Sequence, residues 1–286
     1  MWQTRRMAAD DEVLRAVEGS LDRPSAARVY DYFIGGNHNY AIDRAFGDKV
    51  RARLPLIPDS AVACRQFLGR AVRYASQSGI HQYVDIGSGL PTAGNVHEVA
   101  DEARPEHDTT VVYIDNEPIA LAHSQLLLAD TADPDRHHAI AGDLLEPVDL
   151  WERVAETGVI DFEQPVALVI NAVLHFIKDE QQPHQALDFY REQLAPGSFL
   201  IMCQLTDENP ADDEERRALD DLKAYYETTT NPGQYRSREE FLKFYGDFEL
   251  VEPGLVYAPE WHPDENALFA DAPSKSRILA AVARKP

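Results

Sequence analysis

Between residues 80 and 205, short apolar stretches alternate with segments of helical spacing, and that rhythm leaves few folds open. The strand candidates are 80–86, 109–115, 137–141, 166–173 and 198–205. Between them Val96, Val99, Ala100 and Ala103, then Ile119, Leu121, Ala122, Leu126 and Leu127, recur at the intervals of one helix face. Strands alternating with helices imply right-handed crossovers and a mostly parallel sheet covered on both faces. The run Pro165-Val166-Ala167-Leu168-Val169-Ile170 is apolar without alternation, as a central strand buried on both sides should be.

The flanks differ. Residues 10–78 read as helical, with Asp59 as a candidate N-cap for a helix that stops at Ser78-Gly79. Residues 207–228 read as an acidic helical insertion, and Thr228 to Gly233 as a loop. Ser237 with Glu240 three residues on resembles a capping box opening a helix through Tyr245. Two further strand candidates, 248–257 and 276–284, follow with no helix between them. The expected fold is α/β: a seven-stranded, mostly parallel sheet with helices on both faces, a C-terminal antiparallel hairpin and an N-terminal helical cap. Residues 1–58 form the cap or lid, and 59–286 the main domain, with an insertion at about 206–240. A closing hairpin belongs to class I methyltransferases and is absent from dinucleotide dehydrogenases.

Charge narrows the partners. The chain has 27 basic and 49 acidic side chains in 286 residues, a net charge of −22. Such a field repels phosphate backbones and anionic lipid. The densest basic cluster, Arg65, Arg70 and Arg73, is spread along one helix, so no nucleic-acid partner is expected and the acidity is read as solubility. No apolar run approaches the roughly 20 residues of a membrane span. Met1 to Arg6 leads into Asp10, Asp11 and Glu12 rather than an apolar segment, so the reading is cytoplasmic with no membrane partner. Cys64 and Cys203 lie too far apart in sequence to suggest a disulfide framework or a zinc knuckle. His97-Glu98 opens like a zinc-protease motif, but Asp101 stands where its second histidine belongs, and His137-His138 has no partner at ligand spacing. No metal is expected.

The first strand-to-helix turn is Val84-Asp85-Ile86-Gly87-Ser88-Gly89-Leu90-Pro91-Thr92. Gly87 and Gly89 let the backbone turn sharply and approach a ligand, and the following helix offers unpaired N–H groups. A lone GxG is weak evidence, but two features narrow it. Asp85 places a carboxylate that would repel phosphate and attract an ammonium or sulfonium. A dinucleotide fingerprint needs a third glycine where Thr92 stands. The turn therefore favours S-adenosylmethionine over NAD. The second strand ends Ile114-Asp115-Asn116, and Asp115 is placed to accept both ribose hydroxyls. Asp143 and Leu144 follow the third strand, where a carboxylate either meets the adenine amino group or simply starts a loop. Asn116 and Asn171, at the second and fourth strand tips, are candidate cofactor contacts as well. His175, beyond Asn171, stands where a base could take a proton from the acceptor; the competing reading is a histidine that packs beside the site. Methyl transfer needs a base only when the acceptor arrives protonated.

A second stretch sharpens the picture: Ala27-Arg28-Val29-Tyr30-Asp31-Tyr32-Phe33-Ile34-Gly35-Gly36-Asn37-His38-Asn39-Tyr40-Ala41-Ile42-Asp43-Arg44. With the turn at 85–92, Asn95-Val96-His97-Glu98-Val99 and Val112-Tyr113-Ile114-Asp115-Asn116, it resembles a mostly bacterial family of S-adenosyl methyltransferases, formerly a domain of unknown function. The resemblance covers nearly the whole chain, including Val251 to Val256 and the final strand. It implies cofactor contacts from Asp85, Gly87, Ser88 and Gly89, ribose contacts from Asp115, and adenine contacts near Asp143 and Leu144. Leu90-Pro91 departs from the small residue common in the wider class.

Gly35-Gly36 breaks a helix, and the polar turn after it is read as a lid over the cofactor. On that reading Gly36 and Asn39 join the site, Arg44 or Arg28 meets the methionine carboxylate, and Tyr32 or Tyr40 covers the methyl donor. The alternative is a helix–turn–helix packed for stability. Tyr225, Tyr226, Tyr235 and Arg236, with Trp261 and His262, are read either as acceptor-pocket walls or as surface packing. The leading function is methyl transfer from S-adenosylmethionine to a small-molecule acceptor. A binding protein without turnover is the alternative, and a nicotinamide oxidoreductase is disfavoured by Asp85, Thr92 and the hairpin.

Overall fold

The computed structural model describes residues 21–91, 94–104, 108–265 and 267–286. The helical reading of 10–20 and the Thr92 position lie outside them. The strands are β1 (Gln82–Ile86), β2 (Thr110–Asp115), β3 (His137–Ala141), β4 (Val166–Asn171), β5 (Phe199–Leu205), β6 (Glu249–Leu250), β7 (Val256–Tyr257) and β8 (Ile278–Arg284). The sheet order is β3-β2-β1-β4-β5-β8-β6, with β7 also on β8. The first five strands run parallel, and β8 runs antiparallel to β5 from Phe199↔Arg284 to Leu205↔Ile278.

The class I fold is therefore present, with eight strands in place of seven. The expected strand 248–257 is split: Leu250 pairs with Ala283 and Val256 with Ala280, so six residues advance against three. The excess loops out at Pro253 and Gly254. Proline has no N–H for the ladder, and Gly254 has φ +85°. The antiparallel strand β8 lies inside the sheet, between β5 and β6.

Alternate residues of the strands feed two apolar layers. Val84, Val112, Leu168, Leu200 and Ala281 face α6 (Pro147–Glu156) and α7 (Pro183–Gln193). Tyr83, Val111, Val169, Ile201 and Val282 face α3 (Ile57–Gln77) and α4 (Val96–Ala103). Burial on both sides is why β4 carries no polar residue before Asn171. Helix α3 starts two residues before the expected cap, because Pro58 suits a first helical turn; Asp59 then sits within that turn. It ends as expected, with Gly79 at φ +94°.

The cap consists of α1 (Ala26–Phe33) and α2 (Ala41–Arg53). It packs on the insertion helix α8 (Asp213–Tyr226) through Val29, Phe46, Val50 and Leu222. Arg53 pairs with Asp221 at 2.6 Å, and the Ala26 N–H donates to Asn231 at 3.2 Å. Cap and insertion thus form one helical layer over the sheet tips. Ser237 and Glu240 make the expected capping box, opening α9 (Arg238–Leu242) and a 3-10 turn through Tyr245. Among the described residues, no helix is long and apolar enough to cross a membrane.

Candidate active site

Beyond Ile86 the chain turns through Gly87 and Gly89 at φ +72° and +67°. A Cβ on Gly87 would come within 2.4 Å of the Val173 side chain, so glycine is needed there for dihedral and space alike. The Gly87 and Ser88 N–H groups donate to the Ile114 carbonyl at 2.8 and 3.0 Å, and the Gly89 N–H donates to Asp115 Oδ2 at 2.8 Å. The second carboxylate oxygen of Asp115 accepts the Glu117 N–H at 2.8 Å. The turn after β1 is thereby tied to the tip of β2.

Asp85 and Asp115 are 5% and 8% exposed. Burial pushes Asp85 up to about 7, with the Asp115 charge adding to it and Arg65 opposing. Burial pushes Asp115 up to about 6, against the pull of its backbone N–H donors. Two carboxyl groups that resist ionisation face the same space, and a cationic ligand would relieve both.

That space is a cavity of about 370 Å³ over the carboxyl ends of the strands, where open α/β sheets bind ligands. Asp85, Gly87, Ser88, Gly89, Asp115, Asn116, Asp143, Leu144, Asn171 and His175 all line it. Asp143 also accepts the Leu145 N–H at 2.9 Å, so it starts its loop as well as facing the site.

The N-terminal motif is divided: Ala27, Tyr30 and Phe33 line the cavity, whereas the polar turn beyond them does not. Tyr32, Gly36, Asn39, Tyr40 and Arg44 are not among the lining residues. They satisfy one another instead. Asp31 accepts the His38 N–H at 2.9 Å and the Asn39 amide at 2.7 Å, and a Cβ on Gly36 would strike its carboxylate at 2.0 Å. The Tyr40 N–H donates to Asp43, Arg44 donates to the Asn39 carbonyl at 2.8 Å, and the Tyr32 hydroxyl donates to Asp48 at the surface. Arg28 is fully buried, paired with Asp43 at 2.8 Å and Glu117 at 2.6 Å. The motif is a self-satisfied polar knot, and Arg28 docks it on the loop after β2.

His175 lies in a 3-10 turn, and its Nδ1 accepts the Leu205 N–H at 3.3 Å. Burial holds its imidazole down to about 3, with Arg236 adding to the effect. The ring is neutral at physiological pH, and with Nδ1 accepting, its proton sits on Nε2. That geometry makes it a donor rather than a base. Of the aromatic candidates, Tyr226 and Tyr235 reach the cavity. Trp261 is fully buried against Phe67 and Tyr74, and Tyr225 lies under Lys49. Arg236 is buried, donating to the Leu174 and Ile177 carbonyls.

Sequence reasoning missed part of the wall. Ile57, Ser60, Ala61, Cys64, Arg65 and Leu68 of α3 line the cavity at helical intervals. The usable signal was an arginine inside that otherwise small and apolar stripe. Arg65 donates to Asn95 at 3.3 Å. The two cysteines, 139 residues apart, meet with their sulfurs at 2.9 Å, bridged by Asn171, which donates to Cys64 and accepts from Cys203. Away from the cavity, the His97 and His137 rings lie 4.9 Å apart at a tilt of 37°, and the described residues contain no group of three metal-ligating side chains.

A family model described as S-adenosyl methyltransferase matches residues 15–286. The chain belongs to that family. A candidate methyltransferase from Thermobifida fusca YX is 35% identical, with a TM-score of 0.81 over 92% of this chain and 95% of that one. A DUF574 family protein from Streptomyces avermitilis MA-4680 is also 35% identical, with a TM-score of 0.84 over 93% and 98%. No curated protein matches this family member.

Proposed function

We propose that the chain transfers a methyl group from S-adenosylmethionine to a small-molecule acceptor. The observation that carries this is the pair of buried carboxyl groups, Asp85 and Asp115, facing one cavity beside a glycine turn. When bound, S-adenosylmethionine supplies a methyl group activated by a sulfonium, and its cationic end matches those carboxylates. Asp85 would hold the ammonium, Asp115 the ribose hydroxyls, and Asp143 with Leu144 the adenine. Arg65 takes the role of methionine-carboxylate partner, since Arg28 and Arg44 are engaged inside the cap. His175, a neutral donor, orients rather than deprotonates.

Calorimetry decides between cofactors: S-adenosylhomocysteine should bind and NAD should not, and tight binding of NAD alone would overturn the assignment. Asp115→Ala should weaken S-adenosylhomocysteine by about 1.5–3 kcal/mol, and wild-type affinity in a folded variant would refute the ribose role.

A further inference from the structure

The cavity is electrostatically divided. Its four carboxylates, Asp85, Asp115, Glu117 and Asp143, all stand on the strand-tip side. The facing wall of α1, α3, α8 and residues 230–235 contributes none, in a chain with 49 acidic side chains. That wall is built largely from apolar groups, among them Phe33, Ile57 and Leu222, with Phe176 closing beside them 5.3 Å from the Tyr226 ring. Its cation away from the Asp85 neighbourhood is Lys223 on α8. Neighbouring cations are spoken for: Arg53 by Asp221, Lys178 by Glu227, Lys49 by the Tyr225 ring. Lys223 makes no ion pair or side-chain hydrogen bond among the described residues.

Among the described residues of this wall, no titratable group stands open to take a proton: the Cys64 thiol, lowered by its contact with Cys203, is held between Cys203 and Asn171. His175 is held neutral with its proton on Nε2, and burial raises the Tyr30, Tyr226 and Tyr235 hydroxyls, keeping them protonated. An acceptor that arrives ionised needs no base, and a negative charge suits a wall with a lysine and no carboxylate. An ammonium would meet repulsion from Lys223 and find no group to take its proton.

We propose that the helical half of the cavity is a subsite for an apolar organic acid, an aromatic carboxylate or acidic phenol, whose charge pairs with Lys223. This rests on the reading of the strand-tip half as the methyl-donor site. The ring of such a ligand packs among Phe33, Ile57, Phe176 and Leu222.

Three ring-matched probes test it by calorimetry: 2-naphthoate, 2-naphthamide and 2-naphthylmethylamine. The acid should bind about tenfold more tightly than the amide, the increment of one charge-assisted contact, and the ammonium should not bind. Saturating S-adenosylhomocysteine should leave the acid bound. Lys223→Gln should erase the preference for acid over amide, while Lys223→Arg retains it. Equal binding of acid and amide, binding of the ammonium, displacement of the acid by S-adenosylhomocysteine, or an indifferent Lys223→Gln would each overturn the subsite. S-adenosylhomocysteine alone supplies the separating control. If it fails to bind while the acid binds as expected, the donor reading falls and the anion subsite stands; if it binds and the acid does not, only the subsite falls.

Discussion

A carboxyl group that must ionise to meet a cation, in surroundings that resist ionisation, links binding to pH. Asp85 has its folded value raised to about 7 from 3.8. The folded chain therefore holds a proton that the unfolded chain has lost between those values. From this group, stability is highest at the acid end and falls as pH rises through about 7. A cationic ligand should expel the proton. Near pH 6.5, S-adenosylmethionine should release about one proton between Asp85 and Asp115, and its affinity should climb towards pH 8. Titrations in buffers of different ionisation enthalpy would read this, and Asp85→Asn should remove most of the release. Arg65→Gln should cost S-adenosylhomocysteine about 1.5–3 kcal/mol yet leave methylthioadenosine, which lacks the amino-acid tail, at wild-type affinity. Asp85, Asp115 and the glycines were legible because their placement is local: a strand tip and two left-handed dihedrals follow from a few adjacent residues. Arg65, Cys64 and Lys223 were not, because their places in the cavity wall depend on which helix face covers the sheet. The Gly35-to-Arg44 motif left two readings open for a related reason. Asn39, Tyr40 and Arg44 look in sequence like ligand-binding groups, whether their hydrogen bonds close on a ligand or on each other.

At the scale of elements, Arg28 is the pin between the cap and the sheet. It is fully buried, and both its carboxylate partners lie on other elements, Asp43 in α2 and Glu117 at the start of α5 (Pro118–Thr131). Removing one partner of a buried pair leaves the other charge stranded. Arg28→Met should cost about 3–5 kcal/mol, read as a lowered urea midpoint, and a change below about 1 kcal/mol would show that the pairs behave as exposed ones. The rhythm of strands and helices was legible from residue 80 to 205 because every strand there is continuous and, apart from the half-buried edge strand β3, buried. It failed at 248–257, where a segment read as one strand contains Pro253, and the missing N–H outweighs the pattern of side chains.

The whole molecule carries a net charge of −22, and its cavity opens between the strand tips and a helical layer. A field of that sign steers a cation inward and slows an anion. The association rate of S-adenosylmethionine should fall as salt rises from about 0.02 to 0.3 M, while that of an anionic acceptor rises over the same range. Stopped-flow fluorescence would follow both, and a flat response would mean that the net charge is too far from the mouth to matter. The sheet has a further consequence, in time rather than space. Strand β8 occupies the place between β5 and β6, although β6 precedes it in the chain. A nascent chain that has not yet reached Ile278 therefore has β5 as a bare edge and nothing for β6 to pair with. Until Arg284 leaves the ribosome, half-made copies crowded on one message present one another with a strand-shaped vacancy that any neighbour can fill.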